Sequence, residues 1–128
     1  VYEVDGDQIT WYYKAIGKDK NHQMRIYPPG MQSDFPTEAA VNIWNYDKNW
    51  KIDCFADGKA IAAPVQKTAL DPLAKDTMLG KNLPAIRGWV EPNLTDHLFF
   101  MQVPEHTKSL MVKATDGFGN TYQESISL

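Results

Sequence analysis

Residues 109–128 read SLMVKATDGFGNTYQESISL. Leu110, Val112 and Ala114 alternate with Met111, Lys113 and Thr115; beyond the break, Tyr122, Glu124, Ile126 and Leu128 alternate with Thr121, Gln123, Ser125 and Ser127. Successive side chains of a strand leave by opposite faces, so a period of two marks half-buried antiparallel strands. The five residues between them are turn chemistry. Gly117 and Gly119 admit positive φ, and Asp116 and Asn120 carry side chains that bond nearby backbone amides. A calcium loop needs about six oxygens, and Asp116 and Asn120 are the only obvious side-chain donors in this stretch. The segment therefore predicts the closing hairpin of a sheet.

The same alternation extends back along the chain, through QITWYYK (8–14), HQMRIY (22–27), AAVNIWNY (39–46), WKIDCF (50–55) and HLFFMQV (97–103). In QITWYYK the parity puts Ile9, Trp11 and Tyr13 on an apolar face expected to be core. In AAVNIWNY it sets Asn42, Trp44 and Tyr46 opposite Val41 and Ile43. VDGDQ and ADGKA place Asp-Gly between strand-like runs, a strong hairpin signal. YPPGMQSDFPTE (27–38) has three prolines and a glycine and is expected to cross between two sheets. One segment departs from the pattern. ALDPLAKDTMLG (69–80) has Leu70, Leu73, Ala74 and Met78 at helical spacing, Asp71 as N-cap, Pro72 at the first position and Gly80 at the end, predicting a helix of about three turns. The wider region from Asp57 to Asp76 is expected to be a solvated, helix-bearing surface. The fold expected is all-β: an immunoglobulin-like β-sandwich of about seven or more antiparallel strands with one short helix, a single domain over residues 1–128. A partly closed barrel is the alternative.

Composition narrows the function classes. The 128 residues carry a formal net charge of -3, which argues against a nucleic-acid groove, since that needs a basic face. No run of about 18 apolar residues marks a membrane-spanning helix. The chain starts at Val1 and shows no signal peptide, as a processed product or fragment would. A single cysteine, Cys54, forbids an internal disulfide. The three histidines, His22, His97 and His106, are far apart and form no HxH or HExxH pattern, so no metal site is expected. Neither a nucleophile elbow nor a Gly-rich phosphate loop occurs, and no catalytic residue is assigned.

Two sets of residues remain as candidates for binding. Tyr12, Trp44 and Tyr46 are outward aromatics by strand parity, suited to stacking on a sugar or packing on a partner. His97, in LTDHLFF, could reach toward a neighbouring site. Asp96 beside it is not expected to orient it, because neighbours in a strand face opposite ways.

Several stretches together resemble one family. VKATDGFGNTY (112–122) resembles the closing motif of the C-terminal domain of Bacteroides-type calcineurin-like phosphoesterases, with Gly117 where those proteins usually carry Arg. YEVDGDQITWYYKAIGKDKNHQMRIYPPG (2–30) is similar to that domain's opening, VNIWNYDKNWKIDCFADGK (41–59) to its middle, and TDHLFFMQVP (95–104) to its Thr-x-His-Leu-Phe segment. The resemblance implies a β-sandwich accessory domain without catalytic residues of its own. It also implies a separate catalytic domain in the same polypeptide, in which Asp-x-His, Gly-Asp-x-x-Asp and Gly-Asn-His motifs hold two divalent metal ions that clamp a phosphate ester. A periplasmic or secreted setting is likewise implied. The partner expected is that catalytic domain, with a glycan as the alternative ligand; neither a nucleic acid nor a membrane is expected.

Overall fold

A computed structural model describes residues 1–81 and 89–128. In chain order the elements are β1 (Tyr2–Asp5), β2 (Gln8–Trp11), β3 (Met24–Tyr27), β4 (Ala39–Ile43), β5 (Lys51–Ala56), β6 (Lys59–Ala60), β7 (Val65–Gln66), β8 (Ala69–Leu70), α1 (Pro72–Leu79), β9 (Leu94–Thr95), β10 (Leu98–Met101), β11 (Ser109–Thr115) and β12 (Thr121–Ser127). Two four-stranded antiparallel sheets, ordered β3-β4-β10-β7 and β12-β11-β5-β6, form a β-sandwich. β1–β2 and β8–β9 are separate two-stranded ladders.

Inward residues follow from strand parity. Met24, Ile26, Val41, Ile43, Phe99 and Met101 of one sheet meet Cys54, Leu110, Val112 and Ala114 of the other, with Trp50 stacked on Tyr122 at 5.7 Å. β11 is central in its sheet, and its register with β12 runs without a slip from Ser109↔Ser127 to Thr115↔Thr121. A one-residue slip there would turn Leu110, Val112 and Ala114 out to water. Cys54 is buried, and burial together with the nearby Asp53 pushes its thiol up to about 11. Along one margin the sheets come together: the Glu124 carboxyl of β12 lies beside Arg25 and the backbone N–H of Ile26 in β3.

The turns carry the chemistry their sequences need. Asp57 and Gly58 both have positive φ (47° and 78°), as a type I′ hairpin requires. In the β11–β12 turn Asp116 is the organiser. Its Oδ1 accepts from the backbone N–H groups of Phe118 (2.9 Å) and Asn120 (2.8 Å), and its Oδ2 from the Asn120 amide (2.9 Å) and the Tyr122 hydroxyl (3.2 Å). Only one of the two glycines does what was expected: Gly119 has φ of 87°, whereas Gly117 is not left-handed and instead lies close to Asn49, whose Cβ would be 3.3 Å from an added Cβ.

Four other expectations are corrected. Ile9, Trp11 and Tyr13 are exposed, because their hairpin joins neither main sheet. The Pro-rich segment does not cross between sheets, since β3 and β4 pair directly; it arches over the outer face and lays Phe35 on Phe100, ring centroids 4.6 Å apart. The helix has eight residues, about two turns, and buries only Pro72. The region before it holds β6, β7 and β8; strands of two residues are too short for alternation to reveal.

Replacing Gly119 by Val should destabilise the chain by about 1–2 kcal/mol in denaturant titrations, because a β-branched residue resists positive φ. Glu124 supplies a pH signature. Burial, only partly offset by Arg25 and the Ile26 N–H, raises its carboxyl above the ordinary 4.5. The folded state then holds the proton more tightly than the unfolded state. Its contribution is complete below pH 4.5 and is lost as pH rises through the folded value. Glu124→Gln should therefore raise the melting temperature at pH 7, with the difference from wild type shrinking toward pH 4.

Candidate functional site

The outer face of the sheet β3-β4-β10-β7 is where the sandwich becomes irregular. Asp71 accepts from the backbone N–H of Ala74 at 2.9 Å, capping α1 as its sequence position predicts. The same carboxylate accepts the Tyr27 hydroxyl from β3 (2.9 and 2.8 Å to its two oxygens) and the Asn42 amide from β4 (2.7 Å). One side chain thus starts the helix and pins it to two strands. Burial drives the Tyr27 phenol far above its ordinary value, and the hydrogen bond and charge of Asp71 act in the same direction, so it remains a donor.

Beside this anchor runs a groove of about 370 Å³ between the outer face, α1 and β9, walled by Asn42, Trp44, Asp71, Met78, Asn93 and His97 among others. Trp44 is half-buried, its ring 5.2 Å from that of Tyr13 and 4.8 Å from that of His22. His22 is held below its ordinary pKa by burial first and then by Lys18 and Arg25, so it stacks as a neutral ring near pH 7. His97 Nε2 lies 3.4 Å from Asp96 Oδ1. The Asn42 Oδ1 is buried and has no hydrogen-bond partner among the described residues. A mostly apolar wall that includes Trp44, with amide, carboxylate and imidazole groups among its lining, suits an organic ligand better than a metal ion.

Of the four residues singled out by sequence, the structure brings Trp44 and His97 together in this groove. Tyr46 lies elsewhere. β4 ends at Ile43, the Tyr46 N–H donates to the Ile43 carbonyl in a turn, and the ring swings inward onto Phe99 at 4.6 Å, against the inter-sheet core. Strand parity could not carry through that turn. Tyr12 sits beyond β2 with Lys20 Nζ 5.9 Å over its ring, lining a cleft of about 200 Å³ with Asn120 and Thr121. Asp96 and His97 do touch, because both precede β10 in a bend where alternation does not apply. Tyr27 and Asn42 were not flagged by sequence as members of the site. The Asp71-Pro72 cap signals the helix start, but nothing local names the strands that share its carboxylate.

The chain matches the family described as C terminal of Calcineurin-like phosphoesterase over residues 1–122. It belongs to that family. No curated protein and no solved structure matches it. By that description the matched region corresponds to the C-terminal part of calcineurin-like phosphoesterases. The metal pair implied for the catalytic domain does not fit the residues here. Among the described residues no three His, Cys, Asp or Glu side chains converge. Asp96 and His97 make only a pair, and Glu38 is already engaged by Lys67.

Asp71→Ala removes the cap and both strand anchors at once. It should lower stability by about 2–3 kcal/mol in denaturant titrations, more than an exposed N-cap alone would cost. Asp71→Asn, which keeps an acceptor, should recover part of that loss.

Proposed function

We propose that the chain is a non-catalytic accessory domain of a metal-dependent phosphoesterase, packing on the catalytic domain of the same polypeptide and helping to wall its substrate entrance. The observation that carries this reading is the family match across residues 1–122. The divided chemistry supports it: the catalytic pocket of a two-metal phosphoesterase needs clustered carboxylates and imidazoles, and the described residues of this chain instead offer a sandwich with a mostly apolar groove beside Trp44. A secreted or periplasmic setting in Bacteroides-type organisms is part of the proposal and rests on the motif resemblance.

A second reading, a carbohydrate-binding module, is favoured by the Trp44–His97 groove, where an aromatic ring stands beside hydrogen-bonding side chains. A soluble glycan panel titrated against wild type and Trp44→Ala separates the two. Saturable binding lost in the variant supports the module, and no binding in either supports the accessory domain.

The isolated chain should hydrolyse a generic aryl phosphate no faster than background with manganese or zinc added. The parent protein lacking this domain should keep its metal-dependent turnover and change KM more for a bulky ester than for a small one. Turnover by residues 1–128 alone that survives repurification and is lost in His97→Ala would overturn the proposal.

A further inference from the structure

The β1–β2 hairpin joins neither main sheet, and a cleft lies between it and the head of β12. The hairpin register pairs Glu3 with Thr10 and Asp5 with Gln8, and directly paired residues share a face. Glu3 and Thr10 line the cleft, and so does Tyr12, two residues beyond Thr10. The opposite face, with Tyr2, Val4 and Ile9, is an exposed apolar strip that continues through Trp11 to Phe118, ring centroids 4.6 Å apart. Trp11 belongs both to that strip and to the cleft lining. A second wall of the cleft is the start of β12, Asn120 to Tyr122, and a third is the loop that carries Lys20 and Asn21.

All three walls are held in place by the chain itself. On the β12 side, Asp116 Oδ2 accepts the Asn120 amide and the Tyr122 hydroxyl. With its NH2 group engaged there, Asn120 offers the cleft its Oδ1 as an acceptor. The buried Gln23 amide ties the other two walls together. It donates to the Tyr13 carbonyl at 2.7 Å, next to Tyr12, and to the Lys20 carbonyl at 2.5 Å. The Tyr12 N–H donates to the Val1 carbonyl at 3.0 Å, which carries the hairpin ladder past Trp11. Asp19 Oδ1 accepts the Asn21 N–H at 2.8 Å and sets the loop. Walls ordered in advance lose little freedom when a ligand enters.

We propose that this cleft binds a single sugar ring, such as the terminal pyranose of a glycan, at a place separate from the Trp44–His97 groove and independent of the accessory-domain reading. Size is the first argument. The cleft measures about 200 Å³, below the roughly 300–1,000 Å³ of a pocket for a drug-sized ligand, so it takes one small ring and not an extended chain. Charge is the second. Glu3 and Lys20 are the charged side chains of the lining, and neither is in an ion pair among the described residues. One cation and one carboxylate favour a ligand without net charge over a phosphate ester. The third is the mixture of groups. Sugar hydroxyls both donate and accept, and the cleft offers a carboxylate, an ammonium, two amides and two threonine hydroxyls. The C–H face of a pyranose packs on aromatic rings, which Trp11 and Tyr12 supply. A zwitterion would match the two charges but would leave the rings and hydroxyls without a role.

Nuclear magnetic resonance of the isotope-labelled chain, titrated with the methyl glycosides of glucose, galactose, mannose and N-acetylglucosamine, tests the site. At least one glycoside should shift the Trp11 indole N–H and the side-chain amides of Asn21 and Asn120 saturably, leaving the Trp44 indole N–H in place. Tyr12→Ala should weaken that binding at least about tenfold, because it removes a stacking ring. Asn21 is exposed, so Asn21→Ala should fold as wild type does and bind several-fold more weakly. Trp44→Ala should bind as wild type does. The proposal fails if no glycoside shifts a cleft residue, or if binding is unweakened in both Tyr12→Ala and Asn21→Ala. Shifts that fall on Trp44 and His97 and vanish in Trp44→Ala place the sugar in the groove; the carbohydrate-module reading then stands and this cleft is not the site. Shifts of cleft residues by a free amino acid such as glycine, with none from the glycosides, make the occupant a zwitterion and overturn the sugar assignment.

Discussion

Every residue of β4 and of β10 is buried, so the sheet they share has to be covered on both sides. Ordinary antiparallel sandwiches leave the outer side of each sheet to water. Here the inner side meets β11 and β5, and the outer side, with Tyr27, Ala40, Leu98 and Phe100, needs a second roof. The Pro-rich loop supplies Phe35, and Lys67 lies 4.0 Å over that ring while pairing with Glu38. The short ladder β8–β9 brings Ala69. Helix α1 is stitched down by Asp71. The groove with Trp44 and His97 exists because this roof is assembled from separate pieces that meet imperfectly.

How much of this was legible depended on how local each cause is. Alternation in SLMVKAT and TYQESIS places Leu110, Val112, Ala114 and Tyr122 inside, and the structure buries all four. Caps and turns are local as well, and Asp71, Asp116 and Asp57-Gly58 behave as their sequences predict. Alternation misleads where it assumes a sheet. Tyr46 follows a strand that has already ended, and Ile9, Trp11 and Tyr13 have correct periodicity in and just beyond a hairpin that joins neither main sheet. The sharing of Asp71 among α1, β3 and β4 joins residues 44 and 29 positions apart in sequence, and no pattern in one chain encodes that choice.

The groove and the apolar strip of the β1–β2 hairpin lie on different parts of the molecule. The strip lies on the β1–β2 side with Phe118, and the groove lies on the outer face beside α1.

The single sulfhydryl has a consequence of its own. Cys54 points into the sandwich at 2% exposure, with its proton held up to about pH 11. Thiolate is the reactive form, and at neutral pH almost none is present even where oxidant could reach it. In an oxidising milieu an odd cysteine ordinarily invites cross-linking between chains. Here the two sheets act as a seal, and the chain stays chemically silent for as long as it stays folded. Alkylation of that sulfur would time the moments when the sheets part, so the protein carries a built-in clock for its own opening.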